Sequence, residues 1–270
     1  MVDAIRGLRI LVTGATSGIG ELLAQRLAER GATTLVHGRD AARVEEVSAK
    51  LRAAGGNVEK FVADLSALAQ AARLAHEVAV AGSLDVLVNN AGVGFGSDPR
   101  QREVSEDGLE LRFAVNFLAP FLLTELLTAR GLPTQAVINV ASAGQAPLDQ
   151  SDVLSERDYG GVLAYRRSKL ALITDTFQRA AQDLARKYVA LHPGTFLATK
   201  MVREANITPQ GTAESGANAM LFVIEQALAG QTGVYFDCER QTAPDNSASN
   251  TAAQAFLRAE ALRLTAPFRS

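Results

Sequence analysis

Tyr165 and Lys169 stand four residues apart in the run Tyr165-Arg166-Arg167-Ser168-Lys169, followed by apolar Leu170, Ala171, Leu172 and Ile173. In a helix this spacing puts the phenol and the ammonium on one face, one turn apart. A free tyrosine titrates near ~10, too high for ready proton exchange at neutral pH. A cation held beside it favours the phenolate, so a buried Tyr–Lys pair can serve as a general acid or base. A packed ring and a solvated ammonium share that spacing, and the surrounding chain decides between the two.

Arg9-Ile10-Leu11-Val12 has the length and character of a buried strand and enters Thr13-Gly14-Ala15-Thr16-Ser17-Gly18-Ile19-Gly20. A helical pattern follows, with Leu22, Leu23, Leu27 and Ala28 opposite Glu21, Gln25, Arg26, Glu29 and Arg30, and Gly31 stops it. Glycines in such a turn let backbone approach a ligand closely, and the helix start offers free N–H groups to a phosphate. Further strands are expected at 33–37, 58–62, 84–88, 136–140, 188–191 and 233–236. Helices are expected through Val44, Val47 and Leu51, and at about 66–81, 106–130, 165–186, 211–229 and 251–264. Pro120 should kink the third of these or mark a boundary in it.

Alternating strand and helix predict a single α/β domain over 1–270, a doubly wound parallel sheet of about seven strands with helices on both faces. Ligands of such sheets bind beyond the carboxyl ends of the strands. Gly14–Gly20, Arg39, Asp64, Asn89–Gly92, Ser142 and Pro193-Gly194 each follow a strand and should converge on that edge.

The chain has 270 residues, is 47% hydrophobic and carries a formal charge of −2, which argues against a nucleic-acid partner. Cys238 is the single cysteine, and His37, His76 and His192 lie far apart, so neither disulfides nor a metal site is expected. The first twelve residues lack a leader pattern, and no apolar run approaches the ~18 residues of a span. A cytoplasmic protein without a membrane partner is the expectation.

Together these residues resemble the short-chain dehydrogenase/reductase family over nearly the whole chain. The carrying motifs are Thr13–Gly20, Asp64-Leu65, Asn89-Asn90-Ala91-Gly92, Asn116, Asn139–Ser142, Tyr165-x-x-x-Lys169 and Pro193-Gly194. His37-Gly38-Arg39-Asp40, Ser168-Lys169-Leu170, His192-Pro193-Gly194 and Gly233-Val234-Tyr235-Phe236 make it most similar to the retinol-dehydrogenase-like subgroup, with a pattern also found in bacterial ketoreductases that tailor polyketides. The resemblance implies a Rossmann-type fold and an NAD(P)-dependent oxidoreductase. It implies that Tyr165 is the acid/base, that Lys169 lowers its pKa and binds the nicotinamide ribose, and that Ser142 bonds the substrate oxygen. Asn116 would hold a water linking Lys169 to solvent. The expected cofactor contacts are Gly14, Thr16, Ser17, Gly18, Ile19, Gly20, Arg39, Asp64, Leu65, Asn90, Ala91, Gly92, Tyr165, Lys169, Pro193, Gly194 and Thr199. Asp64 could equally be a helix N-cap.

The family's acidic position at the end of the second strand is Gly38 here, followed by Arg39. A guanidinium there suits the 2′-phosphate of NADP(H), with NAD(H) left open because Asp40 could hold Arg39 or face the ribose. The stretches 143–164 and 195–210 should wall the substrate site. Ala146, Pro147 and Leu148, with Phe196, Leu197, Met201, Val202 and Ile207, suggest a hydrophobic carbonyl substrate or, equally, packing beneath surface loops. The leading reading is an NADPH-dependent ketoreductase. An alcohol dehydrogenase working oxidatively and a non-catalytic dinucleotide sensor are the alternatives. By family analogy the two long helices could pair subunits into a homodimer or homotetramer.

Overall fold

The computed structural model describes residues 3–269. Eight strands form one sheet in the order β3-β2-β1-β4-β5-β6-β7-β8. They are β1 (Arg9–Val12), β2 (Thr33–Gly38), β3 (Asn57–Val62), β4 (Val86–Asn89), β5 (Ala136–Val140), β6 (Lys187–His192), β7 (Val234–Asp237) and β8 (Arg240–Thr242). The first seven run parallel, and β8 pairs antiparallel with β7, with Tyr235 opposite Thr242. The seven strands expected from sequence are therefore joined by an eighth. Cys238, at φ 55°, turns the chain back at once onto β7, and the short polar run of β8 carries no strand pattern of its own.

One face of the sheet is covered by α1 (Gly18–Glu29), α2 (Ala41–Ala53) and α8 (Ala213–Leu228). The other is covered by α3 (Leu68–Ala81), α5 (Ala119–Thr128), α6 (Gly161–Gln182) and α9 (Thr251–Thr265). Leu23 and Leu27 of α1 and Leu74 of α3 are fully buried; each such leucine stabilises the fold by about 1.5–3 kcal/mol. Because both faces are covered, the strands read as continuous apolar runs rather than alternating ones.

The helix expected over 106–130 begins at α4 (Leu111–Phe113), passes through a π turn at Ala114–Leu118 and continues as α5. Gly108, at φ 75°, breaks any earlier helical start, and the Glu110 carboxylate caps the new one by accepting from Phe113 N–H at 2.7 Å. Pro120 is the second residue of α5, just past the π turn, so it marks the junction between the two while the helix runs on through it. Residues Leu111–Thr128 are long and apolar enough to cross a membrane, with mean hydropathy 1.4, but 78% of the stretch is buried in this fold as a core helix.

Asp64 does not cap α3. Its Oδ1 accepts from Ser66 N–H in a local turn, and the cap of α3 comes from Asp107, whose Oδ2 accepts from Leu68 N–H at 2.9 Å. The helix expected over 165–186 begins earlier, at Gly161, so the first expected substrate loop ends at residue 160. Part of the α5 and α6 surface that analogy assigns to subunit pairing carries α9. Arg258 of α9 reaches Glu125 of α5 at 3.2 Å, and Leu257 and Ala261 are buried in the core shared with α6.

Candidate active site

The sheet order reverses between β1 and β4, and the segments following these strands meet there. Thr13, just past β1, holds them together: its Oγ1 accepts from Asn90 N–H at 2.9 Å and Ala91 N–H at 3.0 Å. Asn90 Nδ2 donates back to the carbonyls of Thr13 and Gly14. The turn is tight enough to require glycine at Gly14, which has φ 67° and where a Cβ would lie 2.9 Å from Ala91 Cα. Gly20 is equally constrained, since a Cβ there would strike the Gly14 carbonyl and the Asn90 amide. Gly18, at φ 57°, opens α1, which among the described residues carries no side-chain cap. Its first N–H groups are thus left for an outside acceptor. Thr199 lies across from this turn, with its methyl 3.3 Å from where a Gly18 Cβ would sit.

His37, 2% exposed on β2, braces the turn from below. Its Nδ1 accepts from Gly14 N–H at 3.2 Å, and Nε2 lies 3.1 Å from the Ala63 carbonyl. The sequence alone singles out no role for it, because its burial follows only from the assembled sheet. That pattern fits a neutral ring with the proton on Nε2, and burial pulls its pKa down from 6.5 to about 4. The folded value lies below the unfolded one, so the unfolded chain takes up the proton first and stability falls as pH drops from about 6.5 towards 4. Between pH 7.5 and 5.5 this contributes about 1.4 kcal/mol of lost stability. Urea unfolding of His37→Asn at the two pH values should show a shallower decline than wild type, and an unchanged decline would contradict the assignment. His192 is also lowered by burial and adds to the slope that remains.

At the end of β2, Gly38 is packed against Thr16, whose methyl would lie 2.5 Å from a Cβ at that position. A carboxylate-bearing side chain has no room there. Asp40 is occupied as the N-cap of α2, accepting from Ala42 and Arg43 N–H, while Arg39 is exposed beside it. Arg43, one turn into α2, donates from Nη2 to the Thr16 carbonyl at 3.2 Å. Sequence reasoning misses this second cation at the glycine turn, although its four-residue step from Arg39 is a readable signal. Asp64 and Leu65 follow β3 two strands away from the reversal.

The π turn in the following helix presents Asn116, fully buried. Its Oδ1 accepts from Val93 N–H at 2.8 Å, and its Nδ2 donates to the Val93 carbonyl and to Ser168 Oγ at 3.0 Å. These bonds fasten the Gly92–Val93 turn to α6 and leave one acceptor site on Oδ1. Such π turns are frequent at functional sites.

Tyr165 and Lys169 lie on α6 one turn apart, and Ser142 lies two residues beyond β5. Lys169 is 4% exposed, its Nζ donates to the Val140 carbonyl at 2.8 Å, and burial pulls its pKa from 10.5 down to about 8. The ammonium is 5.8 Å from the Tyr165 ring centroid. Burial pushes the Tyr165 phenol up from its ordinary range, and a hydrogen bond with Ser142 draws it part of the way back. The expected lowering by Lys169 is not seen in this geometry: desolvation sets the direction, the opposing bond comes from Ser142, and the ammonium is tied to a backbone carbonyl. Ser142 Oγ accepts from Gly144 N–H at 3.0 Å, so its own hydrogen is the one it donates, to the Tyr165 oxygen in this geometry.

Phe95 meets the Tyr165 ring edge-on at 5.0 Å, and Met201 packs against Gly94. Leu197 is buried and fills the space beside Gly194, Gly211 and Gly216. Leu148 likewise packs on the core. Tyr159 donates to Glu110 at 3.3 Å, beside the buried Glu110–Arg112 pair. Among the described residues no group of His, Cys, Asp or Glu is arranged to hold a metal ion.

Residues 9–210 match the model of the short chain dehydrogenase family. The chain is 30% identical to human retinol dehydrogenase 13 over 286 aligned positions, covering 96% of this chain and 85% of that one. It is 34% identical to DnrU, a candidate daunorubicin C-13 ketoreductase of a Streptomyces species, covering 70% of this chain and 66% of the other. A short chain dehydrogenase from Burkholderia cenocepacia solved in complex with NADP superposes with a TM-score of 0.71 at 25% identity, covering 88% of this chain and 98% of that one. The fold and its reversed sheet define a Rossmann-type α/β oxidoreductase. The chain belongs to the short-chain dehydrogenase/reductase family.

Proposed function

We propose that this chain is an NADP(H)-dependent ketoreductase that reduces hydrophobic ketones or aldehydes, of the kind that tailors polyketides. The observation that carries the reading is the half-buried Tyr165 phenol, held protonated by desolvation beside the Ser142 hydroxyl and one helical turn from the buried Lys169. A protonated phenol is the form needed to give a proton to a carbonyl oxygen as it is reduced.

The glycine turn fits a dinucleotide, because its backbone is pressed close and the start of α1 is left uncapped. Gly14, Thr16, Ser17, Gly18, Ile19 and Gly20 would hold the pyrophosphate side. Asp64 and Leu65 would lie at the adenine, and Asn90, Ala91 and Gly92 would continue the floor towards the nicotinamide. Pro193, Gly194 and Thr199 would close over it, with Lys169 on the ribose hydroxyls. Arg39 and Arg43 supply positive charge where Gly38 and Thr16 leave no place for an acid, which favours a 2′-phosphate over a bare 2′-hydroxyl. Bound NADPH supplies the hydride.

The chain's own groups manage the oxygen. Ser142 turns its hydrogen from the Tyr165 oxygen to the substrate oxygen and fixes its place. Tyr165 donates the proton that converts the developing alkoxide to the alcohol. Lys169, near half-charged at about pH 8 in the structure, is placed to restore that proton. Asn116 holds the Gly92–Val93 turn and α6 in register around them.

Phe95 beside Tyr165 and Met201 beside Gly94 favour an apolar substrate. NADPH consumption with a panel of carbonyl compounds tests this. Aromatic and long-chain ketones should show kcat/KM at least about 100-fold above small polar ones, as expected from burying a few apolar groups. Preference for the polar compounds, or binding of NADPH with no turnover on any of them, would contradict the reading.

A further inference from the structure

We propose that Tyr235 is a positioning residue for Ser142, acting together with Gln145 through the Ser142 backbone carbonyl. The proposal rests on the reading of Ser142 as the hydroxyl that meets the substrate oxygen. β5 remains bonded to β6 as far as Ala141, whose N–H donates to the Leu191 carbonyl at 2.7 Å. Ser142 is the next residue, at the start of a long loop. Two donors converge on its carbonyl there. Tyr235 Oη donates at 3.0 Å, and Gln145 Nε2 donates at 3.1 Å.

Neither donor is loosely placed. Tyr235 is 3% exposed on β7, in register with Ala190, and its ring packs in a cluster with Ala141, Leu170 and Ile173. Leu170 directly follows Lys169, so the ring touches both the Ser142 strand end and the helix of the Tyr–Lys pair. Burial pushes the phenol above its ordinary range, which keeps it a neutral donor. Gln145 is fixed at its other end, where Oε1 accepts from Asp245 N–H at 2.7 Å. Asp245 in turn accepts from Ser247 N–H at 2.9 Å, at the start of the short turn that leads into α9. The segment after the last parallel strand is thereby wired to the serine through two hydrogen bonds. A carbonyl held from two sides fixes the plane of the Ser142 peptide. With Ala141 tied to Leu191 on the preceding side, the Cα–Cβ bond of Ser142 is held in direction, and the bond from Gly144 N–H then places Oγ.

Tyr235→Phe keeps the packed ring and removes only the donor, and Gln145→Ala removes the second donor from the loop side. Both variants and their double are compared with wild type by kcat and KM on one hydrophobic ketone, by NADPH affinity from nicotinamide fluorescence, and by melting temperature. Tyr235→Phe should lower kcat about ten-fold and the double about a hundred-fold, the scale of a reacting group displaced by up to an ångström. KM and NADPH affinity should stay within about three-fold, because no contact with either ligand is removed. Wild-type kcat in Tyr235→Phe and in the double would overturn the proposal. So would a loss that follows reduced NADPH affinity or a fallen melting temperature, since that is a purely structural role. Ser142→Ala, run alongside, separates the two levels: if it retains wild-type kcat, the reading of Ser142 itself has failed. If it loses turnover while Tyr235→Phe does not, only the positioning role has.

Discussion

Tyr165→Phe should bind NADPH within about two-fold of wild type and turn over ketones about 100- to 10,000-fold more slowly, the range set by losing a general acid. The ring packing survives the change, because the edge-on contact with Phe95 involves only the aromatic body. What is lost is a proton held ready at neutral pH. Desolvation keeps the phenol protonated, with Ser142 partly opposing it, so the proton is present at the moment of reduction. The phenylalanine variant must draw that proton from solvent. Steady-state kinetics with a parallel fluorescence titration check both halves. Unchanged turnover would remove Tyr165 from the chemistry, and a matching loss of NADPH binding would make it a cofactor contact instead.

Arg39→Ala should weaken NADPH about 10- to 100-fold while changing NADH by no more than about three-fold. A charge-assisted bond to phosphate contributes about 1.5–3 kcal/mol, and a bare 2′-hydroxyl offers the guanidinium much less. Arg39 is exposed, so the effect should shrink as salt is added. Arg43 remains anchored on the Thr16 carbonyl in the single variant, and Arg39→Ala/Arg43→Ala should fall further. Gly38→Asp is no route to an NADH enzyme, because its Cβ would press on the Thr16 methyl and push the glycine turn out of place. Equal losses for the two nucleotides in Arg39→Ala would show that this arginine does not read the phosphate.

The features of this molecule that depend on local pattern are legible in its sequence. A strand running into Gly14–Gly20 and an amphipathic helix can fold in few ways, and β1, the glycine turn and α1 fall where the spacing puts them. The parallel sheet follows from strand–helix alternation. Features that depend on contacts between distant segments are not legible in the same way. Tyr235 and Ser142 are 93 positions apart and meet only because β7 lies beside β6. His37 reads as one more strand residue until the Gly14 N–H is seen to rest on it. The π turn at Asn116 leaves no compositional mark, and Asp107 caps a helix that starts 39 positions earlier. The lowering of Tyr165 expected from Lys169 is absent for a physical reason: spacing reveals the charge but not the desolvation that both groups undergo.

In the proposed reaction, hydride from NADPH reaches a carbonyl carbon held at Tyr165 and Ser142. Supplying NADPH deuterated at both nicotinamide C4 positions with a hydrophobic ketone, and analysing the product by mass spectrometry, tests this step. One deuterium at the carbinol carbon, formed by wild type and nearly absent with Tyr165→Phe, is the predicted result. NADPH that binds tightly but never delivers label to any ketone offered, at any pH, would contradict the account and leave a dinucleotide-binding protein without reductase chemistry.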